Sequence, residues 1–464
     1  MYADLTIVAN PKNEKSVIHN QQSAVAIVGG GMLGLTLALR LAESGKKVTV
    51  FESASEIGGL ASVWNLGEIV WDKHYHVTLL SDLRLRKILA EIGLENELEW
   101  RETKTGFYTD GKLVSMSNTL EFLRFPPLDL ISKFRLGATI FYASRVTDWK
   151  KLEQILVADW LEKLSGGKTF QKIWLPLLRA KLGESYRETS AAFIWATIQR
   201  MYAARKSGLK KEMFGYVRGG YARVLEKLGE HLREKGVEIK LNYAVEKIEK
   251  QADGSVLIYQ KDNCKTVDSS KLTVDSFDSV FITAPANAAA KICPQLTEIE
   301  KERLNQIRYQ GIVCASVLMK NSLSPFYVTN ITDDAPFTAV IEMSALVDKS
   351  EFGGSSLVYL PKYVAPDDAM FEKTDDEIKE TFLAALEKMY RHFRRADVLE
   401  FKISRVRQVF ALSTLNYSAN LPSMKTSLEN VFIVNSAQIT NGTLNVNETV
   451  ALAERALFEL KQIA

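Results

Sequence analysis

The sequence predicts an α/β protein in which a parallel sheet flanked by helices is joined to a second, discontinuous part. Three observations carry that expectation. Ala24 to Val28 is a short apolar run with no polar alternation, the pattern of a strand buried on both faces. Glycines follow at once, and Leu35 to Ala42 then reads as a helix. Lys47 to Glu52 returns as a second strand, and the same order of elements resumes near residues 214 and 431.

Gly29, Gly31 and Gly34 stand at G-x-G-x-x-G spacing across the first turn. The first permits a tight turn, the second lets a pyrophosphate approach the backbone, and the third lets helix and strand pack closely. Gly30, Met32 and Leu33 occupy the positions between, at the positive end of the helix dipole. Gly45 is placed to end the helix. Glu52 closes the second strand roughly 20 residues beyond Gly34, where the ribose hydroxyls of an adenosine are expected. Ser53 follows, and Gly58-Gly59-Leu60-Ala61 brings a second glycine pair. A nicotinamide dinucleotide needs no close backbone approach there, whereas the ribityl arm of a flavin dinucleotide passes over such a loop.

Together these residues resemble the amino-terminal signature of the protoporphyrinogen oxidase, phytoene desaturase and flavin amine oxidase superfamily of FAD enzymes, with UDP-galactopyranose mutase-like relatives included. The resemblance runs from residue 23 through nearly the whole chain, densest over 24–62, 214–290 and 431–456. It implies a Rossmann-type FAD-binding domain (23–105, 214–290, 425–464) and a discontinuous mixed α/β substrate domain (106–213, 291–424) carrying a helical insertion. It also implies FAD bound non-covalently by Gly29, Gly30, Gly31, Met32, Leu33, Gly34, Glu52, Ser53, Gly58, Gly59, Leu60 and Ala61. Farther along, Val245 would meet the adenine, while Thr283 and Ala284 pass the cofactor. Ser436, Asn447, Glu448 and Thr449 would close the site, the last helix pointing its amino terminus at the pyrimidine carbonyl.

The remaining elements follow in order. Ile69 to Val77 reads as extended, Ser81 as the cap of a helix to about Ile92 stopped by Gly93, and Asp110-Gly111 as a hairpin turn. Leu120 to Lys206 is helical in pattern, rich in leucine and aromatics, and punctuated by Pro126-Pro127, Gly166-Gly167 and then Gly208. Strands are predicted at 237–241, 245–249, 256–259, 279–283, 311–319, 355–360, 401–410 and 431–435. Helices are predicted from Gly220 to Lys235, from Asp375 to Phe393 and from about Asn447 onward.

Asp72, His74 and His76 alternate, so in an extended strand all three face one way. Core or surface imidazoles with satisfied hydrogen bonds are one reading, and a two-histidine, one-carboxylate metal triad is another. The resemblance implies a third, in which His74 or His76 lies beside the flavin as the catalytic or cofactor-contacting residue and can pass a proton. Amine oxidases place a lysine near the flavin on the strand that here reads Gly311 to Val317, a run with no basic residue and with Cys314 nearest the expected place. The closing motif departs as well, reading Asn435-Ser436 and Val446-Asn447-Glu448-Thr449.

The expected function is an FAD-dependent oxidoreductase taking a hydride from a small-molecule substrate, bound between the domains, onto flavin N5. The alternatives are a non-redox flavin mutase acting on a sugar nucleotide, with Arg179, Arg200, Arg205 and Arg218 available for its pyrophosphate, or a non-catalytic flavoprotein. A formal charge of +3 without a basic block gives nucleic-acid binding no support. Cys264, Cys293 and Cys314 form no CxxC, which indicates neither a metal site nor disulfides and suits a reducing cytoplasm. The first twenty or so residues lack the apolar core of a secretory signal and read as a poorly ordered leader. Leu128 to Val146, apolar with Lys133, Arg135 and Arg145 beside it, is either ordinary core or a peripheral membrane contact. Oligomeric state stays open.

Overall fold

The computed structural model describes residues 23–204, 212–260, 274–440 and 443–462. The leader, Arg205, Lys206, Gly208 and Cys264 lie outside them. β1 (Ala24–Val28), α1 (Met32–Glu43) and β2 (Lys47–Phe51) form from the opening apolar runs, with Gly45 at a positive φ of 83° just past the end of α1. β1 is the middle strand of a five-stranded sheet ordered Glu238–Lys240, β2, β1, Ser279–Ile282 and Val431–Ile433. Every pairing in it is parallel. In chain order this is a 3-2-1-4-5 sheet, the doubly wound arrangement whose ligands bind beyond the carboxyl ends of the strands. Those ends set Glu52, Gly29, Thr283 and Asn435 in a row, at about 4.8 Å per strand.

A seven-stranded mixed sheet forms the second part. Its order is Val398–Ala411, Tyr309–Met319, Ser356–Val364, Ala339–Glu342, Val328–Ile331, Thr105–Thr109 and Lys112–Ser115. Asp110 and Gly111 take φ of 49° and 69°, the paired positive values of a two-residue hairpin turn. Along the central strands alternate residues face opposite cores. Ile312, Cys314, Tyr359 and Tyr363 face the helical insertion, whereas Val313, Ala315, Val358 and Leu360 face the helix Asp375–Met389. That helix ends four residues short of the expected Phe393, because Tyr390 turns to extended backbone (φ −123°, ψ 100°) and lets Tyr390 and Phe393 reach the same core.

Two smaller sheets join the parts. Leu98–Glu102 and Thr78–Leu79 both pair with Met213–Val217, and Val63–Leu66 pairs with Ile69–Asp72. The extended segment expected to reach Val77 stops being a strand at Asp72.

Candidate functional site

Glycine chemistry shapes the corner between β1 and α1. Gly29 has φ +116°, and a Cβ there would lie 2.3 Å from Thr283 Oγ1. The Thr283 hydroxyl closes the turn by donating to Val28 O at 3.0 Å. At Gly34 a Cβ would stand 1.9 Å from Gly29 O, so only glycine lets α1 lie this close to β1. Gly31 differs: a Cβ there would meet nothing nearer than Gly59 Cα at 3.8 Å, so side chains do not fill this corner. No side chain caps α1, which leaves its first-turn N–H groups available to an outside acceptor.

Glu52 is locked edge-on to the same turn. Gly30 N–H donates to its Oε2 (2.7 Å) and Ala54 N–H to its Oε1 (2.8 Å), with the Ser53 hydroxyl donating to Oε1 at 3.2 Å. Oε2 keeps a lone pair free, and turning the Ser53 hydroxyl away frees one on Oε1, which suits a vicinal diol. The second glycine loop lies directly on the first. Gly58 N–H donates to Gly30 O (2.8 Å), and a Cβ at Gly59 would come within 3.1 Å of Gly31 Cα. Leu60 and Ala61 continue this loop as a short 3-10 turn, Gly59–Ala61. Tyr243 N–H donates to Glu52 O and Asn242 N–H to Ala54 O, both at 2.9 Å, which brings the chain alongside Glu52 just before Val245. Residues 29–34, 52–53, 58–61 and 283–284 are thus gathered at one corner, with Val245 at its flank.

The expected carboxyl-terminal residues have partners within the protein. Ser436 opens the short turn Ser436–Gln438, which Asn435 caps with Oδ1 accepting from Ala437 N–H at 3.0 Å. Asn447, Glu448 and Thr449 lie in the first turn of the helix Val446–Glu459, but their side chains are engaged within the protein. Asn447 Oδ1 accepts from the N–H groups of Arg84 (3.0 Å) and Leu85 (3.2 Å) and so caps the helix Leu83–Glu91. Ser81 is therefore not that helix's cap. Asp82 holds the capping position, yet its carboxylate turns to Leu79 N–H (2.9 Å) and Arg200 (3.0 Å). Thr449 donates to Asn445 O at 2.8 Å, and Glu448 Oε1 accepts from Asn447 Nδ2 at 3.1 Å. The start of the last helix is itself capped, Asn445 Oδ1 accepting from Glu448 N–H at 3.1 Å.

Past Asp72 the chain bends, and the two histidines part. Asp72 is buried, its Oδ1 accepting Tyr221 N–H (2.8 Å) at the start of the helix Gly220–Glu234. His76 Nδ1 lies 3.5 Å from Asp72 Oδ2 without hydrogen-bond alignment, and its ring sits 4.7 Å from that of Tyr221. A cavity of about 20 Å³ between His76, Asp72 and Tyr216 has room for about one water. His74 instead turns toward the glycine loop, its Nδ1 donating to Leu60 O at 3.3 Å. A carbonyl only accepts, so Nδ1 carries the proton, and Nε2 is a bare acceptor, buried and without a partner. Burial, then the neighbouring His76, pushes the His74 pKa down to about 4. Among the described residues no group of three or more His, Cys, Asp or Glu is disposed to hold a metal. Arg179, Arg200 and Arg218 are each paired with a carboxylate, Glu184, Asp82 and Glu99 respectively, rather than gathered on a common site.

His74 implies a pH-dependent stability. It titrates near 4 in the folded chain and near 6.5 when unfolded. Between those values the unfolded chain binds more protons, so stability falls as pH drops through this window, by about 3 kcal/mol from this group. Glu342, buried and raised to about 7, works in the opposite sense: above pH 4.5 the folded chain keeps a proton that the unfolded chain releases. The His74 contribution is therefore expected as the difference between wild type and His74→Phe, measured by urea unfolding at pH 7 and pH 4.5. The variant should lose less stability on acidification.

Sequence reasoning missed an aromatic group across the sheet. Tyr75 and Tyr363 share a hydrogen bond between hydroxyls at 2.9 Å, and Tyr363 packs against Phe410 with centroids 6.0 Å apart. Lys181, on the helix Leu175–Leu182, places its Nζ 3.6 Å from the Tyr363 ring centroid. Cys314 lies buried beneath the same face, its thiol pushed up by burial. Only the proximity of residues far apart in sequence reveals the group.

Open first-turn N–H groups, an unfilled glycine corner, a fixed carboxylate and a bare buried imidazole nitrogen fit a bound flavin dinucleotide. Comparison with known proteins agrees. The family model described as flavin containing amine oxidoreductase matches residues 33–446. The chain is 23% identical over 406 residues to a 15-cis-phytoene desaturase of Capsicum annuum, covering 82% of this chain and 66% of that one. It spans about two thirds of the length of such plant relatives. A zeta-carotene desaturase of Synechocystis sp. is 22% identical over 469 residues, 89% of this chain and 92% of its own. The solved structure of a putative protoporphyrinogen oxidase from Exiguobacterium sp. 255-15 shares the fold with a TM-score of 0.71 at 17% identity, covering 95% and 98% of the two chains.

Proposed function

The chain belongs to the family of flavin-containing amine oxidoreductases, and from that premise we propose that this FAD-dependent oxidoreductase removes a hydride from a substrate held between its two sheets. The observation that carries the reading is the corner at Gly31, lined by the main chain of two glycine loops and by no side chain, with Glu52 fixed at its edge. The first turn of α1 would hold the pyrophosphate, Glu52 the ribose, Gly58 and Gly59 the ribityl arm, and the start of the last helix the pyrimidine end. When bound, FAD supplies the hydride acceptor at N5, and an external acceptor restores it.

The protein's own residues bind, orient and exclude water. His74, neutral across the physiological range, acts as a hydrogen-bond acceptor at Nε2 and positions whatever donor faces it. It is a positioning residue rather than an acid. Tyr75, Tyr359 and Tyr363 wall the substrate side with buried hydroxyls whose pKa values burial raises, so they remain protonated. Mixing the purified protein with a candidate substrate in the absence of oxygen tests the reading. Stoichiometric loss of oxidised-flavin absorbance is expected, and a protein that takes up no FAD would refute it.

We also place the helix Leu130–Arg145 on a membrane surface. Leu130, Ile131 and Phe134 are 73–77% exposed, and Phe141 and Tyr142 follow at more than half. Arg145 lies over the Phe141 ring at 5.1 Å, a basic rim beside an apolar face. Among the described residues no helix is long and apolar enough to cross a membrane. Flotation with vesicles containing anionic lipid should carry the wild type, while Ile131→Ser with Phe134→Ser should stay at the bottom of the gradient. Equal flotation of both would remove this helix from the interface.

A further inference from the structure

An ammonium group without a counter-ion among the described residues lies against the aromatic group of Tyr75, Tyr363 and Phe410. Lys181 Nζ stands 3.6 Å from the Tyr363 ring centroid and 5.2 Å from that of Phe410. Among the described residues no carboxylate lies within salt-bridge distance of it. The nearest acid in sequence, Glu184, is taken by Arg179 and Arg187, each at 3.0 Å. Aromatic faces attract a cation but cannot neutralise it. Lys181 is half-buried, and desolvation pushes its pKa down to about 7.

The surroundings narrow what could satisfy the charge. Tyr75 and Phe193 are half-buried and adjoin the two rings, Tyr75 through the Tyr363 hydroxyl and Phe193 by stacking on Phe410 with centroids 6.2 Å apart, and Leu177 lies one turn before Lys181 on the same helix. The Tyr363 hydroxyl leads through Tyr75 back to the segment carrying His74. An amine entering here would meet a like charge, and a hydrocarbon would leave the ammonium unpaired. A molecule with an apolar body and one carboxylate end would meet both needs, restoring the lysine's proton and pairing it.

We propose that Lys181 is the binding residue for a carboxylate at one end of an otherwise apolar substrate, with Tyr363 and Phe410 orienting its ammonium. This deepens the cleft reading above and rests on it. Lys181 fixes the end of the molecule, so the carbon that is oxidised lies farther along the chain, on the His74 side.

Three probes of equal length test this on the FAD-loaded protein at pH 7, below their micelle concentrations: dodecanoate, dodecanol and dodecylamine, by isothermal titration calorimetry. Dodecanoate is expected to bind about 10–100-fold more tightly than dodecanol, as a charge-assisted hydrogen bond allows, with dodecylamine weakest. Lys181→Met should bring dodecanoate down to the dodecanol affinity while leaving dodecanol unchanged, which also shows that the variant is folded. Lys181→Arg should keep the preference. Equal affinity of the wild type for dodecanoate and dodecanol, or an undiminished preference in Lys181→Met, overturns the proposal. Either result leaves the FAD site standing, whereas failure to hold FAD would strike the cleft reading first.

Discussion

A Gly34→Ala protein should emerge from purification without flavin colour. The new Cβ would sit 1.9 Å from Gly29 O and 3.2 Å from Ile27 Cγ2. The nearest of these is main chain in the turn that shapes the corner, so no side-chain rotation relieves the clash. Either α1 tilts away from β1 or the Gly29 turn opens, and both move the N–H groups that would meet the pyrophosphate. Overpacking ordinarily costs about 1–3 kcal/mol and costs more where backbone must yield, so FAD affinity is expected to fall at least 100-fold. Gly45→Ala is the matched control. Gly45 has φ +83° with nothing within 4 Å of a built Cβ, so only backbone strain of about 1–2 kcal/mol applies and the colour should remain. Flavin content per chain after desalting reads out both.

Arg40→Ala is expected to lower unfolding stability by about 3 kcal/mol, toward the lower end of the range for breaking a buried ion-pair network. Arg40 is only 9% exposed, and its guanidinium reaches Glu91 at 2.9 Å, Glu43 at 3.0 Å and Glu454 at 3.2 Å. Glu454 also pairs with Arg84. One side chain on α1 therefore ties both the helix Leu83–Glu91 and the last helix, Val446–Glu459, to the first. The three carboxylates are 15–34% exposed, so water softens the loss of their partner. Arg40→Ala combined with Glu454→Gln should cost less than the sum of the single changes, because each change alone already breaks the Arg40–Glu454 pair. Urea unfolding of the four proteins measures the coupling.

The nucleotide-binding half was legible because its rules are local. An apolar run, glycines at fixed spacing and a terminal acid sit within residues 24–52, and the sheet, turn and Glu52 geometry follow from them. The departures come from contacts that sequence spacing does not encode. Asp72, His74 and His76 alternate on paper, but pairing with Val63 ends the strand at Asp72 and sends the imidazoles to different neighbours. Asn447 reads as a ligand residue, yet its amide caps a helix 362–363 positions earlier. The strands Val328–Ile331 and Ala339–Glu342 are only four residues each, too short for periodicity to announce. Lys181 carries no mark in its own helix, and its meaning comes from Tyr363 on the opposing sheet.

A crystal structure of the protein grown with FAD tests the central claim most directly. The pyrophosphate is expected within about 3 Å of main-chain N–H groups at Gly31 to Leu33, with the adenosine ribose on the Glu52 carboxylate. A dinucleotide seated anywhere else, with Glu52 touching only Gly30, Ser53 and Ala54, would contradict the account.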